Sequence, residues 1–112
     1  VPWKAKELEE GSKVVVELSG IVDSTNVEEF FAFISSLLKS GVKYMVMDME
    51  HTSYISSGGL SVIVDAHKKV QAEGGKLVIA GASSLIAELL DVAQISRVIE
   101  VYGDLDQALQ AL

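Results

Sequence analysis

Tyr44-Met45-Val46-Met47-Asp48-Met49, followed after a short polar stretch by Tyr54-Ile55-Ser56-Ser57-Gly58-Gly59-Leu60, decides how this chain folds. The first run is largely apolar on both faces, as a strand buried in a layered α/β sheet requires. From Leu60 onward apolar residues recur at Leu60, Ile63, Val64 and Val70, the spacing of a helix. The stretch between is therefore a strand-loop-helix corner with two hydroxyls at the mouth of the helix. Ser56 or Ser57 can cap it by accepting from the unpaired amides of the first turn, and Gly58 and Gly59 leave the approach to that hydroxyl clear.

Three kinds of chemistry suit such a serine. It can simply cap the helix. It can be a nucleophile, since Ser57-Gly58-Gly59 matches half of the strained G-x-S-x-G turn of hydrolases; Ile55 stands where the other glycine belongs. Or it can be a phosphorylation site, because a phosphate here meets the free amides and positive dipole end of the helix while adding roughly two negative charges to the surface.

Working outward from the corner, the helix extends from about Gly58 to Ala72, with Ser61, Asp65, Lys68 and Lys69 on its polar side and Gly74-Gly75 ending it. Val62 and Ala66 fall at the edge of the apolar arc, where either a neighbouring helix or a partner protein would cover them. Lys76-Leu77-Val78-Ile79-Ala80 forms the next strand, and Ser83 or Ser84 then caps a short helix with Leu85, Ile86, Leu89 and Leu90 as its apolar face. Ile99 to Tyr102 reads as a last strand. Asp104 and Gln107 have the spacing of a capping box for a final helix, Leu105 to Leu112.

Upstream, Trp3 to Glu9 reads as an edge strand with lysines on one face, Gly11-Ser12 as a turn, and the β-branched run Lys13 to Leu18 as its hairpin partner. Thr25 with Glu28, or Asn26 with Glu29, has capping-box spacing for a helix whose apolar positions are Val27, Phe30, Phe31, Ile34, Leu37 and Leu38; Gly41 stops it. Glu50 to Ser53 reads as a loop. Alternation of strand and helix after an opening hairpin predicts a single α/β domain over residues 1–112, with a mixed, mostly parallel sheet of about five strands and about four helices.

Composition narrows the function classes. The chain has 112 residues, a formal net charge of −7 and no cysteine. That charge disfavours nucleic acid and anionic membrane, which need basic patches, and the absence of cysteine removes disulfides, thiolate chemistry and cysteine-based zinc sites. No apolar run approaches the ~20 residues needed to cross a bilayer, and the first residues lack the plan of a secretory signal, so the cytoplasm is the expected compartment. Gly74, Gly75 and Gly81 do not make a dinucleotide fingerprint, because a strand lies between them. His51 and His67 have no second ligand at metal spacing, and His67, on the apolar side of its helix, reads as a satisfied and partly buried histidine. Asp48, in a buried strand, needs hydrogen-bond partners such as loop amides. Met45, Met47 and Met49 share one strand face and read as packing.

The order of elements, together with Gly20-Ile21-Val22-Asp23, Met47-Asp48-Met49 and Tyr54-Ile55-Ser56-Ser57-Gly58-Gly59-Leu60, resembles the STAS domain and specifically the bacterial anti-sigma factor antagonists. The resemblance covers almost the whole chain. In that family the corner usually reads Asp-Ser-Ser/Ala-Gly-Leu, with the first serine phosphorylated. Ser57 falls on that serine, Gly58 on the small residue, Gly59 and Leu60 on the Gly-Leu, and Ser56 on the aspartate, which leaves Ser56 as a fallback acceptor.

The resemblance implies a partner switch without a cofactor. The unphosphorylated domain would bind an anti-sigma factor serine kinase of the histidine-kinase-like ATPase class and free a sigma factor. Phosphorylation at Ser57 would release it, and a metal-dependent serine phosphatase would reset it. Implied contacts are Asp23, Ser56, Ser57, Gly58, Gly59 and Leu60, with Val62 and Ala66 if they are exposed; the bottom-up role of Asp23 is a capping carboxylate for the first helix. The alternatives are a STAS interaction module of a transporter or signalling scaffold, without phosphorylation, and a small serine hydrolase, which would need a base that neither His51 nor His67 is evidently placed to supply.

Overall fold

The computed structural model describes residues 1–8 and 11–112. Its elements run β1 (Trp3–Leu8), β2 (Lys13–Val22), α1 (Val27–Lys39), β3 (Tyr44–Ile55), α2 (Ser57–Ala72), β4 (Lys76–Ala80), α3 (Ser84–Val92), a 3₁₀ turn (Ile95–Arg97), β5 (Val101–Tyr102) and α4 (Leu105–Gln110). The expected end of the first strand at Glu9 lies outside the described residues.

The sheet has five strands in the order β1-β2-β3-β4-β5. β1 is antiparallel to β2, and every later pairing is parallel. Each crossover advances one strand in the same direction, so α1, α2 and α3 cover one face. Strand alternation supplies the residues they cover: Val14, Val16 and Leu18 from β2, Met45, Met47 and Met49 from β3, and Leu77 and Ile79 from β4, packed with Phe30, Ile34, Ile63, Val70, Ile86 and Leu90 from the helices. The interposed residues Val15, Val46, Val78 and Ala80 face the other way and are covered by α4 through Leu105, Ala108 and Leu109. The three methionines are thus packing residues.

Tight steps hold the layers in place. Trp3 is buried against α1, its ring 5.4 Å from that of Phe30 and 6.3 Å from that of Phe33. Gly41, at φ 104°, closes α1, and Gly74, at φ 80°, closes α2. At Gly75 a Cβ would sit 1.8 Å from the Lys43 carbonyl oxygen, so the chain can enter β4 only through glycine.

Four expectations are corrected. β2 and β3 are longer than the apolar runs suggest, and Glu50 to Ser53 belongs to β3. Past Asp48, the last β3 residue paired with β4, β3 pairs with β2 alone, through Ser19 with His51, Gly20 with Thr52, Ile21 with Tyr54 and Val22 with Ile55. The result is a two-stranded ribbon projecting beyond β4, in which Thr52 is buried and donates its hydroxyl to the Leu18 carbonyl at 3.1 Å. Phe31 and Leu85 are exposed, leaving Phe30 and Ile86 to carry the burial at their helix starts. The last strand is only Val101–Tyr102, because Ile99 leaves the strand path and packs into the core. Finally, α4 ends at Gln110; its Asp104 cap accepts from the Gln107 amide at 2.8 Å, while the Gln107 side chain accepts from Gly103.

Candidate functional site

The corner between β3 and α2 distinguishes its two serines. Ser56 has extended backbone geometry and is the N-cap; its hydroxyl accepts from the Gly59 amide at 3.2 Å, and its carbonyl accepts from the Leu60 amide at 2.9 Å. The Ser56 amide donates to the Val22 carbonyl at 2.9 Å, which ties the corner to the end of β2. Ser57 is the first helical residue and is exposed. No hydrogen bond engages its hydroxyl among the described residues, and its carbonyl accepts from the Ser61 hydroxyl at 3.0 Å. The cap therefore falls to Ser56 and leaves the Ser57 hydroxyl unengaged.

The two glycines also differ. Gly59 is buried, and a Cβ there would lie 2.6 Å from Ile55 Cγ1 and 3.1 Å from Val22 Cγ1; its smallness lets the helix approach the strand ends. Gly58 is exposed, and a Cβ there would meet only ordinary contacts, Val27 Cγ2 at 3.5 Å and Ser56 Oγ at 3.7 Å. The expectation that Gly59 clears a path to the hydroxyl is thereby corrected, since Gly59 serves packing; Gly58 is exposed beside Ser57 and has room for a methyl group.

Asp23 stands in the β2–α1 loop beside this corner, as the closeness of Val27 to Gly58 shows. Its carboxylate accepts from the Thr25 hydroxyl at 2.5 Å and the Thr25 amide at 2.9 Å. Its amide donates to Asn26 Oδ1, and Asn26 Nδ2 donates to the Ile21 carbonyl, each at 2.9 Å. Neither predicted capping box forms. Asn26 occupies the N-cap position of α1 with no side-chain cap bond, because its amide is turned back to lock residues 21–26, and Asp23 organises that loop where a helix cap was expected. The Thr25 hydroxyl, then the Thr25 amide, hold the Asp23 carboxyl below the usual carboxylate range.

Val62 and Ala66 are 8 % and 1 % exposed, so the expectation of a contact surface there is overturned. α2 lies in the middle of the helical layer and packs on α1 as well as on the sheet, which widens its buried arc. Leu60 is also buried. The open side of α2 instead borders a groove of about 530 Å³ against the turn after α3, lined by Ser57, Leu60, Ser61, Val64, Asp65, Lys68, Ala93 and Ile95. A larger cavity of about 810 Å³ lies between α1 and α2 toward their last turns, and Ser57 does not line it.

The histidines do not converge on the serine. His51 is exposed on the ribbon, and His67 lies ten residues along α2 from Ser57, ~15 Å at helical rise. His67 Nδ1 is buried with no hydrogen-bond partner among the described residues, contrary to the expected satisfied histidine. Asp48 accepts from the Glu50 amide at 3.2 Å, as a backbone-bonded carboxylate should. Among the described residues no group of three or more histidine, aspartate or glutamate side chains could hold a metal ion. No described helix is long and apolar enough to cross a membrane.

Charge is sorted along the strand axis. Residues 19–38, 49–67 and 77–96 contain no lysine or arginine, and these include the strand ends and helix starts around Ser57. Asp23, Glu28, Glu29 and Glu50 fall in these segments, whereas Lys13, Lys39, Lys43, Lys69 and Lys76 belong to strand starts and helix ends on the opposite side; Lys4, at the start of antiparallel β1, is paired with Glu17, and Lys68 borders the far part of the Ser57 groove. Sequence reading missed two exposed residues at this end, Ile21 and Tyr54. The buried Val22 and Ile55 beside them are the signal, since alternation turns their strand neighbours outward.

Comparison with known proteins agrees with this architecture. The family model for the STAS domain matches residues 4–108. BtrV of Bordetella bronchiseptica, a candidate anti-sigma factor antagonist, is 27% identical over 94 residues, covering 84% of this chain and 81% of that protein. An anti-sigma F factor antagonist of Paenibacillus polymyxa is 22% identical over 100 residues, covering 88% and 86%. Among solved structures, the anti-sigma factor antagonist SpoIIAA in its unphosphorylated form superposes with a TM-score of 0.85 at 17% identity over 97% of this chain and 94% of that one. The phosphorylated form of the Bacillus SpoIIAA gives 0.76 at 17% identity, covering 97% of each chain.

Proposed function

We propose, because the chain belongs to the STAS domain family, that it acts as an anti-sigma factor antagonist whose binding is switched at Ser57. The observation that carries this reading is the division of labour at the corner: Ser56 caps α2, and the Ser57 hydroxyl is exposed and unengaged. The names of its relatives, and a fold neighbour solved with and without phosphate, support the same reading.

In this scheme the unphosphorylated domain binds an anti-sigma factor serine kinase of the histidine-kinase-like ATPase class in the cytoplasm and frees a sigma factor. Ser57 Oγ attacks the γ-phosphorus of the kinase's ATP, the bond to the β-phosphate oxygen breaks, ADP leaves and the hydroxyl proton passes to a base on the kinase. The product is a dianion at a corner whose flanking segments, 19–38 and 49–67, carry Asp23, Glu28 and Glu50 and no lysine or arginine. Burying that charge at an interface costs several kcal/mol, and each 1.4 kcal/mol is a factor of ten in affinity, so the complex opens without refolding. A metal-dependent serine phosphatase then restores the hydroxyl. Ser56, where the family commonly has aspartate, keeps the cap function without the charge, and its engagement with Gly59 makes it the poorer acceptor.

The test is intact-mass measurement after incubation with ATP and the anti-sigma factor kinases encoded near its gene. One phosphate on the wild type, none on Ser57→Ala, kinase binding by Ser57→Ala and its loss in Ser57→Asp are expected. A kinase that binds the wild type yet never modifies it would favour a STAS interaction module without a phosphoswitch.

A further inference from the structure

Ile21 and Tyr54 are cross-strand partners near the tip of the β2–β3 ribbon, 51 % and 44 % exposed. Val22 and Ile55, next along each strand, are fully inside, so the exposed pair lies on the face of the ribbon away from α1, α2 and α3. The cover provided by α4 falls on Val15, Val46, Val78 and Ala80. Two large apolar side chains thus share an open surface, each two residues from a corner residue, Asp23 for Ile21 and Ser56 for Tyr54. The segments they belong to, 19–38 and 49–67, contain no lysine or arginine: Asp23 lies two residues past Ile21, Glu50 lies where β3 passes the end of β4, and Glu28 stands in the first turn of α1, while Lys4 on the neighbouring β1 is paired with Glu17 at 3.5 Å. Helix dipoles account for an acidic residue in the first turn of α1, but not for Glu50 on the ribbon.

We propose that this ribbon tip is a second docking surface for the kinase, which meets it with an apolar contact bordered by arginine or lysine. The inference rests on the function proposed above and adds a kinetic consequence. A basic partner is drawn toward the acidic end at long range, and phosphate on Ser57 makes that end more negative. The modification therefore leaves association undiminished and acts on dissociation, where the dianion meets the close-packed interface.

The experiment is stopped-flow binding to the kinase that passes the test above, between about 50 and about 300 mM salt. Wild-type kon should fall about tenfold across that range, and Glu28→Lys with Glu50→Lys should lower it severalfold at low salt. Ile21→Ser with Tyr54→Ser should leave kon within about twofold and raise koff at least tenfold, with an unchanged unfolding midpoint excluding misfolding. Phosphorylated protein should associate at least as fast as wild type and dissociate far faster. A kinase that binds wild type but ignores salt, the charge reversals and the ribbon substitutions overturns the surface while leaving the switch intact. A collapse of kon on phosphorylation overturns the kinetic assignment, and failure of every kinase to bind wild type overturns both readings.

Discussion

The two ends of α2 each carry a pair of glycines, yet they are held by different means. At the far end Gly74 needs its positive φ, and Gly75 lies against the Lys43 backbone, which cannot move without breaking β3 from β4. At the near end Gly59 meets only the side chains of Ile55 and Val22, and Gly58 meets nothing closer than ordinary contact. The far end is fixed by main chain and serves architecture. The near end is fixed by side chains and one hydroxyl cap, so its first turn can be presented to another protein without strain in the sheet.

Substitutions at three of these glycines and around them would break or sharpen that contrast. Gly75→Ala should be the most damaging, at least about 3 kcal/mol in chemical denaturation, because the clash is with backbone. Gly59→Ala should cost about 1–3 kcal/mol, since Ile55 and Val22 can shift in part; an equal or larger loss than at Gly75 would erase the distinction. Ser56→Ala should cost about 1 kcal/mol by removing the cap while leaving Ser57 modifiable, as intact mass would show. Gly58→Ala should gain about 0.5 kcal/mol from helix propensity, read as a raised unfolding midpoint.

The smallest effect concerns pH. The folded pKa of Asp23 is lowered, so its contribution is present above the unfolded carboxylate value and is lost as pH falls through the lowered folded one. Asp23→Asn should flatten that acid limb, seen in the Thr25 amide resonance, with little change near neutrality.

Much of this contrast was readable before any coordinates. Glycine pairs, serine caps and helical spacing mark both ends of α2 in the sequence, and the alternation of elements dictates the sheet. Three things were hidden for physical reasons. Two adjacent serines differ only in which one has extended backbone geometry, and that depends on the Val22 carbonyl reached from another strand. Val62 and Ala66 looked marginal because periodicity assumes one buried face, whereas a central helix packs on a neighbour as well as on the sheet. The polar run Glu50-His51-Thr52-Ser53 resembled a loop because, beyond β4, a ribbon needs few apolar residues to stay paired. Alternation beside Val22 and Ile55 hints at the outward turn of Ile21 and Tyr54, but that they are cross-strand partners on one surface follows only from the register.

Trp3 is the sole tryptophan, sealed against Phe30 and Phe33 where the opening strand meets α1. Its emission is therefore a built-in optical gauge of whether the domain is intact, while Tyr54 at the ribbon tip is the aromatic that an arriving partner would shield. One molecule thus offers separate spectroscopic channels for integrity and for engagement, with no dye attached.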